Sequence, residues 1–315
     1  MGKSGKAWLE EFTTDEIREL RTIRAHRAWL TLCVNYGLIA ASMALVAYVP
    51  NVFTVVLALF LIGARQLGLA VVMHESAHYT LFNHRKLNDF VGNWLAGYPI
   101  YLSASMYRTH HLEHHAKTWT DGDPDLPLAT AFPVSKASMA RKVTRDLLGI
   151  TGLKKLIGTT YLVVKVIRGE EVDSGTLPLR MERTLAARML VGTVLTNLVL
   201  FGILWLLGHP LLYLLWFGAW MTTNNLVARI RSIAEHAVVP DPTEPIGQTR
   251  TVRAGWLERL LIAPNCVQYH LEHHLVMTVP HYNLPKFHAM MRERGLLEGA
   301  CVADNYAQVL RVAVT

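Results

Sequence analysis

The 315-residue chain is poor in charge. Asp, Glu, Lys and Arg make up 17% of it, against about 25% in an ordinary soluble domain. It is equally short of cysteine. Cys33, Cys266 and Cys301 form no CxxC pair, which argues against a disulfide framework and a thiolate metal site. No low-complexity tract or short-period repeat is present. The opening MGKSGKAWLEEF lacks the apolar core of a signal peptide, and Lys6 stands where a myristoylation signal needs Ser or Thr. The net charge is +7, but the cations are scattered among apolar residues and not interleaved with stacking aromatics, so nucleic acid is not an expected partner.

Hydrophobic residues supply 51% of the chain, and two stretches have no charge at all: Ala28–Ala64, 37 residues, and Met189–Ala228, 40 residues. One crossing of a bilayer needs roughly 20 apolar residues, so each stretch has room for two. Each also has turn chemistry near its middle, Val49-Pro50-Asn51 and Gly208-His209-Pro210. The pattern predicts an all-α membrane protein with four transmembrane helices as two hairpins, at about 28–49, 52–73, 189–207 and 211–230. A cytosolic helical cap, 74–188 and 231–315, completes a single integral-membrane domain spanning 1–315. A soluble all-α core is the alternative, but such cores rarely exclude charge for so long. Arg18, Arg21, Arg24 and Arg27 precede the first hairpin, while the two turns contain neither Lys nor Arg. The positive-inside rule then puts both termini and the middle segment in the cytoplasm. Arg65 interrupts the second span and is expected near its cytoplasmic boundary. Leu87–Tyr107, with Asp89, Gly92, Gly97 and Pro99, reads as an interfacial or re-entrant segment. Lys136–Ile167 reads as a basic amphipathic surface against anionic lipid.

Fifteen histidines are many for this length, and they are grouped. HLEHH occurs twice, at His111–His115 and His270–His274, and HESAH occupies His74–His78. Residues three and four apart share a helix face, so these strings make chelating sets of neutral imidazoles, suited to iron, zinc or copper. Eight clustered histidines exceed the four ligands of a single zinc and suit two ions.

HESAHYTLFNHRKLND, YRTHHLEHHAKTWTDGDPD and NCVQYHLEHHLVMTVPHYNLP, in that order between paired spans, resemble the three histidine boxes of the membrane fatty acid desaturase superfamily. That superfamily includes acyl-lipid desaturases, membrane hydroxylases and ketolases, and a 1-alkene-forming fatty acid decarboxylase. The resemblance implies two iron ions held by His74, His78, His111, His114, His115, His270, His273 and His274, with molecular oxygen as co-substrate. It adds a ninth ligand, His236 in RSIAEHA, and puts Ser232 where some members have asparagine. Glu75, Glu113, Glu235 and Glu272 adjoin these histidines and read either as acceptors that orient their ring N–H groups or as residues of a solvated helix face. Asp123 and Asp125 in TDGDPD read either as partners of Arg or Lys near the site or as part of an Asp-Pro turn. His84, His110, His281 and His288 are not extended ligand status.

The resemblance further implies an oxygen-dependent di-iron oxidoreductase acting on an unactivated C–H bond of a fatty-acyl or lipid-like substrate. It is read first as a fatty acid desaturase, with a hydroxylase or the decarboxylase as alternatives. With no flavin fingerprint, iron–sulfur cysteine set or haem segment in the chain, electrons must come from a ferredoxin, rubredoxin or b-type cytochrome and its reductase. A competing reading from another class is a zinc metalloprotease through HESAH, whose HExxH is followed by His84. That motif needs glycine where Leu81 stands, and it leaves both HLEHH strings unused.

Overall fold

The computed structural model describes residues 10–170 and 182–315, and nearly all of its regular structure is helical. A short α1 (Thr14–Leu20) leads into α2 (Ala25–Tyr48) and α3 (Val52–Ala77). The turn between α2 and α3 is the expected one. Asn51 caps α3 by accepting from Thr54 N at 3.0 Å, while Thr54 Oγ1 accepts from Asn51 N at 3.2 Å, which satisfies two otherwise orphaned donors. Next come α4 (Arg85–Phe90), a π-helical turn (Val91–Gly97) and α5 (Ala104–Lys117). The Leu87–Tyr107 segment therefore forms no continuous crossing helix.

α6 (Leu126–Thr130), α7 (Lys136–Leu147) and α8 (Ile150–Arg168) follow, with α7 and α8 meeting at 69°. The second apolar stretch gives α9 (Arg183–Leu206), α10 (Tyr213–Met221) and α11 (Thr223–His236). The chain ends with β1 (Arg250–Val252), α12 (Trp256–Leu261), α13 (His270–Leu275), α14 (Leu284–Glu293), β2 (Cys301–Ala303) and α15 (Tyr306–Val312). β1 and β2 pair in parallel, with Thr251 opposite Val302.

Among the described residues, three helical segments are long and apolar enough to cross a membrane: Thr14–Tyr48, α3 and α9; the bent α7–α8 pair would make a fourth. The expected span at 211–230 is instead divided between α10 and α11 at Thr222, whose φ of −120° and ψ of −89° lie outside the helical region. Charge-free composition could not reveal the break.

α3 is the central element. Gly63 is where α11 lies against it: a Cβ there would stand 2.3 Å from Thr223 Oγ1 and 2.8 Å from Asn224 N. Thr223 donates to Leu59 O at 2.5 Å, and Asn224 donates to Gly63 O at 3.2 Å. α9, by contrast, exposes Val194, Leu198, Val199 and Leu206, an outward apolar face suited to lipid. A fully buried Asp146 in α7 forms a two-point ion pair with Arg229 of α11, at 2.5 and 2.8 Å.

Arg65 is 4% exposed, and its guanidinium donates to the carbonyls of Arg259 and Leu260 at the end of α12. Its partner is a helix terminus, where cations are favoured by the unpaired carbonyls.

Candidate metal centre

Two helix ends aim at one place. α3 delivers His74 and His78 in its last turn, and α11 delivers His236 as its last residue. Both ends are fixed by an arginine from elsewhere. Arg108 of α5 donates to Ser76 O and Ala77 O at 2.9 and 3.0 Å. Buried Arg250 of β1 donates to Ala234 O and Ala237 O, each at 3.0 Å. Each guanidinium satisfies carbonyls that a helix terminus leaves open and complements its negative pole.

α5 and α13 supply the remaining imidazoles. Ligand atoms of His74, His78, His111, His115 and His273 lie within 4.8 Å of one another, and those of His114, His236 and His274 form a second such group. His270 joins the second group through His236, with their Nε2 atoms 2.9 Å apart. The two groups touch where the His115 and His274 rings stack at 4.1 Å. All nine histidines singled out by sequence are thus brought together, in sets of five and four.

The electrostatics favour the ligating form. Burial, reinforced by neighbouring imidazoles, holds His111, His115, His270, His273 and His274 well below the ordinary histidine value. Burial also lowers His78 and His236 to about 3. Neutral rings then face one another with little to hold them. His115 Nε2 lies 3.0 Å from Nε2 of both His111 and His273, and the buried Nε2 atoms of His74, His78 and His274 have no hydrogen-bond partner. A buried nitrogen without a partner costs about 1–3 kcal/mol. A cation among converging lone pairs removes that cost, so these residues fit bound metal ions.

Carboxylates stand behind several rings. Asp123 lies 2.7 Å from His114 Nδ1 and also accepts from the backbone N–H groups of Trp119 and Asp125. Burial opposes its ionisation, but these hydrogen bonds prevail and keep the carboxyl below its usual range. Asp125 is 3.0 Å from His110 Nε2. The two aspartates therefore pair with histidines, not with the Arg or Lys of the first reading of TDGDPD. The sequence alone could not choose, because the pairing depends on how the loop after α5 folds back.

Among the expected glutamates, Glu75 lies 3.5 Å from His74 Nδ1 and accepts from Thr80 Oγ1 at 2.8 Å and His281 N at 2.9 Å. Glu235 lies 3.4 Å from His270 Nδ1 and is paired with Arg231. Glu272 is buried between Thr251 and His288, both at 2.5 Å, and so supports α13 without meeting a clustered ring. Glu113 departs from the orienting reading and sits on a solvated helix face: it is exposed and paired with Lys117 at 2.7 Å, on the outer side of α5. Ser232 is half-buried and makes no hydrogen bond to a clustered histidine among the described residues.

The four histidines outside the set also have defined places. His84 caps α4, His110 meets Asp125, His281 meets Glu75 and His288 meets Glu272. Sequence reasoning missed Arg108, Arg250, Thr251 and Tyr107, whose hydroxyl lies 3.1 Å from His111 Nδ1. Only Tyr107, four residues before His111, carried a readable signal, the helical i,i+4 spacing.

The fatty acid desaturase family profile matches residues 50–303. Dihydrorhizobitoxine desaturase of Bradyrhizobium elkanii is 29% identical over 292 residues, covering 90% of this chain and 81% of the relative. The sn-1 oleoyl-lipid 12-desaturase of Synechocystis is 23% identical over 276 residues, 86% of this chain and 77% of the relative. Beta-carotene 4-ketolase of Protosiphon botryoides is 37% identical over 85 residues, 25% of this chain and 22% of the relative. The chain belongs to the fatty acid desaturase family, whose members are di-iron oxidoreductases.

Proposed function

We propose that this member of the fatty acid desaturase family binds two iron ions between its nine clustered histidines and desaturates an aliphatic chain of a fatty-acyl or lipid-like substrate. The observation that carries the reading is the convergence of those imidazoles, from α3, α5, α11 and α13, into sets of five and four. A reduced iron pair supplies the capacity to activate dioxygen at a position next to an unactivated C–H bond. In balance, two substrate hydrogens, two protons and two electrons convert one dioxygen to two waters, and the substrate gains a double bond. The chain's own contribution is positional. α3 and α11 are locked by Arg108 and Arg250, Asp123 orients His114, and burial keeps the imidazoles neutral and water scarce.

The site belongs on the cytoplasmic side of a single membrane domain over 1–315, with both termini on that side. The cation-free turns at Val49–Asn51 and Gly208–Pro210 support that orientation. In this reading 211–230 crosses as the broken α10–α11 pair, giving four spans. Electrons arrive from a ferredoxin, rubredoxin or b-type cytochrome with its reductase, and membrane lipids surround α9. The relatives' names cover an oleoyl-lipid and dihydrorhizobitoxine, which supports desaturation above hydroxylation.

The test is metal analysis of purified protein, followed by mass analysis of products after expression with a reducing system. Two irons per chain and loss of two substrate hydrogens are expected, and His270→Ala abolishes turnover while the protein stays membrane-inserted. One zinc without iron, or retained turnover in His270→Ala, contradicts the reading. Gain of one oxygen marks a hydroxylase, and loss of the carboxyl carbon marks a decarboxylase.

A further inference from the structure

A cavity of about 190 Å³ opens directly onto the cluster, bordered by His74, His270 and His273. Most of its remaining wall is apolar, including Val71, Ile100 and Leu102. Two cations also border it: Arg231, and Lys155 from the amphipathic α8. They are not equivalent. The Arg231 guanidinium is already engaged by Glu235, and Glu75, which also lines the space, is engaged by Thr80 and His281.

Lys155 has no carboxylate or hydrogen-bond partner among the described residues; its ammonium lies 5.5 Å from the Trp220 ring. Its neighbour Lys154 points out and is exposed, whereas Lys155 turns inward and is half-buried. An ammonium held beside apolar walls without a counter-ion is costly, and a bound anion removes that cost.

Building on the function proposed above, we propose that the site takes an aliphatic substrate bearing a free carboxylate, with its carboxylate paired to Lys155 and its chain directed at the imidazoles of His74, His270 and His273. The carboxylate could belong to a simple acid or to an amino acid. Lys155 is then the residue that selects an acid over a neutral chain.

The experiment uses the full iron-loaded chain in detergent and measures binding calorimetrically with hexanoate, hexan-1-ol and norleucine. In the wild type, hexanoate binds roughly tenfold or more tightly than hexan-1-ol, the margin of a charge-assisted contact. Lys155→Met removes that margin and leaves hexan-1-ol unchanged, while Lys155→Arg keeps most of it. Either order of hexanoate and norleucine supports the proposal and identifies the source of the carboxylate. Equal binding of hexanoate and hexan-1-ol by wild-type protein overturns it, with no variant needed. Protein that holds no iron overturns the proposed function instead, so the two failures are distinguishable.

Discussion

The two HLEHH copies are identical in sequence and unlike in setting. The first lies in a 14-residue helix, α5, whose Ser103 cap accepts from Met106 N. The second makes up most of α13, six residues long with no side-chain cap. The shared glutamate shows the difference most clearly. The Glu113 side chain is 45% exposed and faces Lys117, whereas Glu272 is 0% exposed and gripped by Thr251 and His288. A long capped helix holds its own direction, so α5 needs only Asp123 and Tyr107 behind its rings. A six-residue helix is too short to be stable by itself, so α13 is held from outside through its glutamate. The histidines of the pentapeptide are fixed by chemistry; the work of the glutamate depends on location.

The sharpest way to break this comparison is to remove each glutamate in turn. Glu272→Ala leaves buried Thr251 and half-buried His288 without their acceptor and should cost about 1–3 kcal/mol of stability for each group left without its partner. Glu113→Ala should stay within about 0.5 kcal/mol, as for an exposed i,i+4 pair. Denaturant unfolding in detergent measures both, and similar losses would mean the copies are equivalent after all. A smaller effect tests the first copy's own support. Asp123→Ala frees His114 Nδ1 and should weaken iron retention against a chelator by about 10–100-fold, the usual range for partners behind a ligand; unchanged retention would remove Asp123 from the centre.

A last effect is spread over many residues and involves both copies. His78 and His236 are held at about 3, against an ordinary 6.5. Between those values the unfolded chain binds protons that the folded, metal-free chain refuses. Stability of metal-free protein is therefore full above pH 6.5 and falls as the pH drops, by about 1 kcal/mol per such histidine one unit below. His111 and His115 of the first copy and all three histidines of the second are lowered as well, so both copies contribute to the loss. Thermal unfolding across pH measures it, and a flat profile would show that the rings take up protons in the folded state.

Much of the centre was legible because its chemistry is local. Imidazoles at i, i+3 and i+4 share a face whatever the rest of the chain does, so eight ligand candidates could be named from three strings, and the family resemblance added His236 in RSIAEHA. The α2–α3 hairpin was legible for the same reason: charge-free length and an Asn51 turn suffice. The break at Thr222 was not, since both sides of it are equally apolar. Nor could TDGDPD disclose that its acids meet His110 and His114, or SIAEHAVVP that Arg250 would reach its carbonyls from 12 or more residues away.

The sequence by itself determined the family, the helical class and the histidine boxes, because spacing and hydropathy are written residue by residue, but not how the boxes divide into sets of five and four. The tertiary structure alone decided which glutamate is buried, which arginine ends which helix, and that Lys155 turns toward the centre while Lys154 turns away. These are contacts between segments far apart in the chain. They depend on where each helix lies against α3, and no local pattern records that.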